Sequence, residues 1–207
     1  MTNKSSPSLI ASQTIAGFLD ALNAKVPTPG GGAAAAITGA TAAATAGMVV
    51  SYSINKKSLA EHQTFNVDVQ EKLNAIRARF LQLGDDDAAG YGVLNALWKL
   101  DQDHPDRIAG WEAAVVGAIE PPRAMLALSI EMLELCKELV STTNTQLKSD
   151  LGVAVVLGQA AARSAAWNVK INIPLLPRDD QEHAHKEIDT QLAQAQRLCE
   201  TTEARCR

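Results

Sequence analysis

VQEKLNAIRARFLQL, residues 69–83, decides the fold class. Val69, Leu73, Ile76, Phe80 and Leu83 recur at steps of four, three, four and three, with mostly polar residues between them. A helix turns once every 3.6 residues, so this spacing lays five apolar side chains along one stripe. The rhythm returns at Met125, Leu128, Met132, Leu135 and Leu139, and again at Ile188, Leu192, Ala195 and Leu198 or Cys199. Nothing alternates apolar and polar residues between turn dipeptides as a strand does. Prolines at 27 and 29, 105, 121 and 122, and 174 and 177 punctuate the helical stretches. The expectation is an all-α, antiparallel bundle of seven or eight helices. They are placed at about 12–25, 31–55, 59–83, from just after Asp85, Asp86 and Asp87 to about 100, 107–118, 122–141, 149–172 and 180 to the end. No linker or internal repeat divides the chain, so 1–207 reads as a single helical domain with residues 1–10 as an N-terminal tail.

Composition narrows the function. Apolar residues make up 46% and charged residues 20% of 207, a globular balance with enough chain for a large core. A net charge of −4 and only 4% aromatics supply neither phosphate neutralisation nor a stacking platform, which argues against nucleic acid as a partner. Cys136, Cys199 and Cys206 form no CxxC, and the N-terminus lacks an apolar signal core, so a reduced, cytoplasmic protein is expected. The four histidines, His62, His104, His183 and His185, have no metal-site spacing, and no metal is expected. Residues 26–55 carry no charge, but they consist largely of Ala, Gly, Thr and Ser, whose transfer into lipid is weakly favourable. This reads as a buried core helix rather than a membrane span. Gly32, Ala36, Ala40 and Ala44, beside Gly39, Ala43, Gly47 and Ser51, let another helix approach closely, either within the chain or across a dimer. The stretch from Leu151 to Ala166 is apolar nearly all round and suits a bundle centre or a subunit interface.

Four groups of residues could carry chemistry. In Pro27-Thr28-Pro29-Gly30-Gly31-Gly32, glycines precede a helix whose first N–H groups have no intrahelical acceptor and can bind an anion or the polar edge of a ligand. In Asp85-Asp86-Asp87, one aspartate is expected to cap a helix, and another, crowded by its neighbours, to have a raised pKa and act as a base. Asn144, Gln146, Ser149 and Asp150 precede the apolar helix, with Ser149 or Asp150 as its cap, while Asn168 and Asn172 lie one turn apart at its far end. Lys56 and Lys57 suit a helix C-terminus or an acidic ligand, and Arg163, inside the apolar helix, calls for an anionic partner.

Taken in order, these segments resemble the cyclodeaminase/cyclohydrolase family of folate enzymes. The resemblance runs from about residue 14 to 175. It rests on Phe18 to Leu22, Pro27 to Ala36, Lys56-Lys57, Asp87-Ala88 with Tyr91, Ser149 to Ala154, Arg163 to Ala166, and Asn168 to Asn172. It implies an all-helical homodimer that binds folate in a cleft near subunit contacts, needs no cofactor, and uses Asp87 in catalysis. The implied substrate-binding set is Pro29, Gly30, Gly31, Gly32, Lys56, Lys57, Asn144, Ser149, Asp150, Arg163, Asn168 and Asn172. Ala33 after the glycines is similar to the stand-alone methenyltetrahydrofolate cyclohydrolases. The related cyclodeaminase reaction, which releases ammonia, is the alternative activity, and a non-catalytic helical dimer is the alternative of another class.

Overall fold

The stripe at 69–83 lies inside a helix that does not stop where the aspartates begin. The computed structural model describes residues 9–207, and among them all regular structure is helical. The α-helices are α1 (Ile15–Asn23), α2 (Gly31–Ser51), α3 (Gln63–Trp98), α4 (Pro105–Thr142), α5 (Lys148–Lys170) and α6 (Arg178–Cys206). Short 3-10 turns at Ile10–Ser12, Lys57–His62, Thr145–Leu147 and Ile173–Leu175 join them. The expected tail, 1–10, lies largely outside the described residues, and its last member, Ile10, is buried.

Six α-helices replace the expected seven or eight because two expected breaks are not breaks. The first is Gly84-Asp85-Asp86-Asp87, poor helix formers that none the less lie inside α3. Gly84 is needed there, because a Cβ would come 2.7 Å from Ile10 and 2.9 Å from Ala36. Asp85 accepts a hydrogen bond from the Ile10 N–H at 3.0 Å, and Asp86 pairs with Gln82 and Arg79 at 3.0 and 3.5 Å. None of the three is a helix cap. Successive helical residues project about 100° apart, so the aspartates diverge rather than crowd one another.

The second expected break is Pro121-Pro122, which sits inside α4. A proline lacks the N–H that would bond the carbonyl four residues back. The two carbonyls left over are those of Gly117 and Ala118. Ala118 accepts from Asn172 Nδ2 at 3.3 Å, so α5 replaces the missing donor. The Gly117 carbonyl lies so close to Gly90 of α3 that any Cβ at Gly90 would overlap it. Tertiary packing thus accommodates a proline pair that would otherwise end a helix.

The glycine and alanine stripe of α2 is an intrachain seam. Gly32 faces Asp87, Gly39 faces the Phe80 ring and Gly47 faces Gln70, so α2 runs antiparallel to α3. Phe80 is fully buried because Gly39 leaves room for its ring, and burying a side chain of that size contributes about 1.5–3 kcal/mol. α2 also packs on α5, and α4 packs on α3, α5 and α6. By length and composition α2 and α4 could each cross a bilayer, but 61% and 50% of their apolar windows are buried inside this bundle.

Within one chain α5 is buried on one face only, so it is not the bundle centre that its composition also suits. Its inner face carries Leu151, Ala154, Val155, Ala162 and Ala165, all fully buried. Its outer face exposes Val153, Val156, Arg163, Trp167 and Ile171, with Trp167 and Ile171 at 75% and 74%. Beside it α2 exposes Thr41, Ala44, Met48 and Tyr52.

Candidate active site

The N-terminus of α2 is the foundation of the cleft. Its cap, Gly30, has no side chain to offer, so no side-chain cap serves the first N–H groups. Gly30, Gly31 and Gly32 line a cleft of about 380 Å³ together with Thr28, Asp87 and Tyr91. Trp98, Ala118, Asn168, Ile171 and Asn172 complete its wall. Four helices, α2 to α5, and the loop before α2 therefore converge on one end of the bundle.

Asp87 is the central charge of that cleft. Gly32 has no Cβ, and a Cβ there would overlap the Asp87 carboxylate. The carboxylate therefore lies directly against the first turn of α2. Burial raises its pKa from 3.8 to about 6. The cause is desolvation, not repulsion from Asp85 or Asp86, which corrects the expectation of mutual crowding. Among the described residues no side chain hydrogen-bonds to it, which leaves both oxygens for a ligand. A pKa near neutrality suits a group that must take and return a proton.

The two asparagines are fixed through their amide donors. Asn168 Nδ2 donates to the Ser164 carbonyl at 2.8 Å, and Asn172 Nδ2 donates to the carbonyls of Asn168 and Ala118 at 3.1 and 3.3 Å. Both residues line the cleft, neither amide oxygen accepts a hydrogen bond among the described residues, and a Cβ on Gly31 would come 3.0 Å from Asn168 Oδ1.

The remaining residues of the expected set do not join this cleft within one chain. Pro29 lines a neighbouring hollow with Ile10, Thr14, Ala33 and Asp85. Lys56, Lys57, Asn144, Ser149 and Asp150 gather beyond the C-terminus of α2. With a rise of 1.5 Å per residue, α2 sets them about 30 Å from Asp87. There Lys56 Nζ donates to Asn144 Oδ1 at 2.6 Å, and Asn144 also caps the 145–147 turn by accepting from the Gln146 N–H. Neither Ser149 nor Asp150 caps α5, because that turn runs straight into it and puts Leu147 at the cap position. Arg163 has no anionic partner among the described residues; it stands exposed on the outer face of α5. Conversely, Trp98 and Ile171 line the cleft and were not among the expected site residues. Trp98 was detectable in principle: Asp87, Tyr91 and Trp98 follow at steps of four and seven, one stripe of one helix.

A half-buried carboxylate against a helix N-terminus, walled by amides and aromatic rings in an all-α bundle, defines a helical protein with an acid–base cleft. Residues 14–194 match the family described as formiminotransferase-cyclodeaminase, and the chain belongs to it. It is 33% identical to a methenyltetrahydrofolate cyclohydrolase of Methylorubrum extorquens, across 95% of this chain and 99% of that one. It is 24% identical to the formimidoyltransferase-cyclodeaminase of Gallus gallus over 79% of its length, and spans 31% of that longer protein. The fold is similar to that of formiminotetrahydrofolate cyclodeaminase from Thermotoga maritima, with a TM-score of 0.81, 22% identity and 95% of both chains covered.

Proposed function

We propose that this protein is a methenyltetrahydrofolate cyclohydrolase, which hydrolyses 5,10-methenyltetrahydrofolate to 10-formyltetrahydrofolate in one-carbon metabolism. The observation that carries this reading is Asp87, a carboxylate with a pKa of about 6 set against Gly32 in a cleft wide enough for a ring system. The substrate's methenyl bridge is an amidinium-like cation. The Asp87 carboxylate offsets that charge and takes a proton from the water that attacks the bridge carbon. The proton then passes to the departing nitrogen, N5, as its C–N bond breaks. The uncapped N–H groups of α2 and the amide oxygens of Asn168 and Asn172 suit the donors and acceptors of a pterin edge. Water and one proton carrier balance the reaction, so the reading includes neither metal nor cofactor.

The test is direct. Purified protein without added metal should accelerate loss of the methenyl absorbance above a buffer blank. Offered 5-formiminotetrahydrofolate, it should release ammonia more slowly than it hydrolyses the methenyl compound. Faster ammonia release would reassign it as a cyclodeaminase, a second reading favoured by the likeness to the Gallus gallus enzyme. Inertness toward both would leave a non-catalytic helical module.

The proposal includes a cytoplasmic, single-domain protein that works as a homodimer and engages neither membrane nor nucleic acid. The exposed apolar faces of α2 and α5 support the dimer, since together they present Ala44, Met48, Val153, Val156, Trp167 and Ile171 to solvent. A two-fold axis perpendicular to these helices would bring the Lys56 end of one chain toward the Asp87 end of the other. That arrangement would let Lys56 and Lys57 serve the substrate's glutamate carboxylates. Light scattering should give twice the 22.0 kDa chain mass, and Val156→Glu on the α5 face should shift it to the monomer. A wild-type monomer at micromolar concentration would rule the dimer out.

A further inference from the structure

Trp98 is held in place by a second tryptophan and an arginine that do not line the cleft. Its ring meets Trp111 of α4 edge to face, with centroids 6.1 Å apart and an interplanar angle of 68°. The Arg107 guanidinium sits 4.7 Å over the Trp111 ring, and Arg107 Nη1 donates to the Leu100 carbonyl at 2.7 Å, just past the end of α3. Edge-to-face and cation–π contacts of this kind fix ring orientation as well as adding attraction. The result is a braced indole that remains 44% exposed while lining the cleft. Such an exposed, immobilised aromatic at a cleft wall is a ready stacking surface.

Position decides what stacks there. Trp98 lies eleven residues beyond Asp87 on α3, about 16 Å along the axis, and helical side chains lean back toward the N-terminus, here toward Asp87. Among the described residues that line the cleft there is no lysine or arginine. A substrate with carboxylates at one end must therefore leave that end outside, with its carboxylate-free head between the α2 N-terminus and the asparagines. In a folate, the ring between the reacting bridge and the glutamate is the p-aminobenzoyl ring. On the folate reading above, we infer that Trp98 is a specificity residue that stacks on the p-aminobenzoyl ring, with Trp111 and Arg107 as its positioning residues.

Two stable probes separate the parts: 5-formyltetrahydrofolate, and a 5-formyltetrahydropterin that lacks the benzoylglutamate. In titration calorimetry Trp98→Leu should weaken the full folate by roughly tenfold, as expected for loss of an aromatic contact. It should leave the pterin fragment unchanged, and Trp98→Tyr should restore folate binding. With methenyl substrate, Trp98→Leu should raise KM more than it lowers kcat. In the wild type, the full folate should quench tryptophan emission more strongly than the fragment does, a readout independent of how any variant folds. Equal folate affinity in Trp98→Leu and wild type, or equal quenching by both probes, would overturn the assignment. So would a Trp98→Leu loss that is the same for fragment and folate. A wild-type protein that binds neither probe would instead overturn the folate reading, and this inference with it.

Discussion

Asp87→Asn should lower the rate of methenyl hydrolysis by roughly 10²–10⁴-fold, the usual worth of a general base. The same variant should be more stable than the wild type at pH 8. Asparagine has the shape of aspartate but neither its charge nor its proton affinity. The activity loss follows from the proposed role, whereas the stability gain follows from burial alone. Asp87 binds its proton more tightly in the folded chain, with the pKa raised from 3.8 to about 6. The stability this group contributes is fully present below pH 3.8 and is lost as pH rises through about 6. Above that, the buried charge costs the fold up to about 3 kcal/mol at 1.36 kcal/mol per pKa unit. The variant lacks that cost, so its melting temperature should exceed the wild type's at pH 8, and the difference should close toward pH 4. The wild-type kcat/KM, corrected for the blank, should rise with pH through about 6 and then level, because the carboxylate is the competent form. A variant that turns over like the wild type would remove Asp87 from the mechanism. One that is dead but less stable at pH 8 would mean that the carboxylate is held by an attraction stronger than its burial.

What the sequence made legible was what repeats. Val69, Leu73, Ile76, Phe80 and Leu83 are all buried, as are Met125, Met132 and Leu139, because a stripe reports a core face directly. Where helices end depended on partners far along the chain. The Asp85 carboxylate is stabilised inside α3 by Ile10, seventy-five residues away, and the Pro122 gap in α4 is served by Asn172. Local propensity cannot register such partners, so two long helices were read as four. The site divided along similar lines. The glycines, Asp87 and the two asparagines converge because α2, α3 and α5 all bring an end or a mid-section to one place. Lys56, Asn144 and Asp150 belong to the same ordered set of segments, but α2 is 21 residues long, which keeps them at the other pole of a single chain. Order along a sequence says nothing about which end of a helix faces the substrate.

Gly32→Ala should lower kcat by about 10²-fold, the scale of a misplacement of about 1 Å at a reacting group. The substitution adds one carbon, and on propensity alone it should favour the helix by up to about 1 kcal/mol. Its Cβ cannot coexist with the Asp87 carboxylate in the observed position, since the two would overlap. The short aspartate side chain has one escape, rotation about χ1 and χ2 away from α2. That movement withdraws the base from the cleft and exposes it to water, so its pKa should fall back toward 3.8. Loss of rate should therefore be accompanied by a lower apparent pKa in the pH profile, which simple unfolding would not produce. Gly92→Ala is the control. It lies on the same helix as Asp87, nothing comes within 4 Å of the added carbon, and the residue is outside the cleft. It should turn over at the wild-type rate. If Gly32→Ala matched it, with an unchanged pH profile, the absence of a side chain at Gly32 would not be what sets the carboxylate in place. The close approach of α2 and α3 at Gly39 and Phe80 would then have to position it instead.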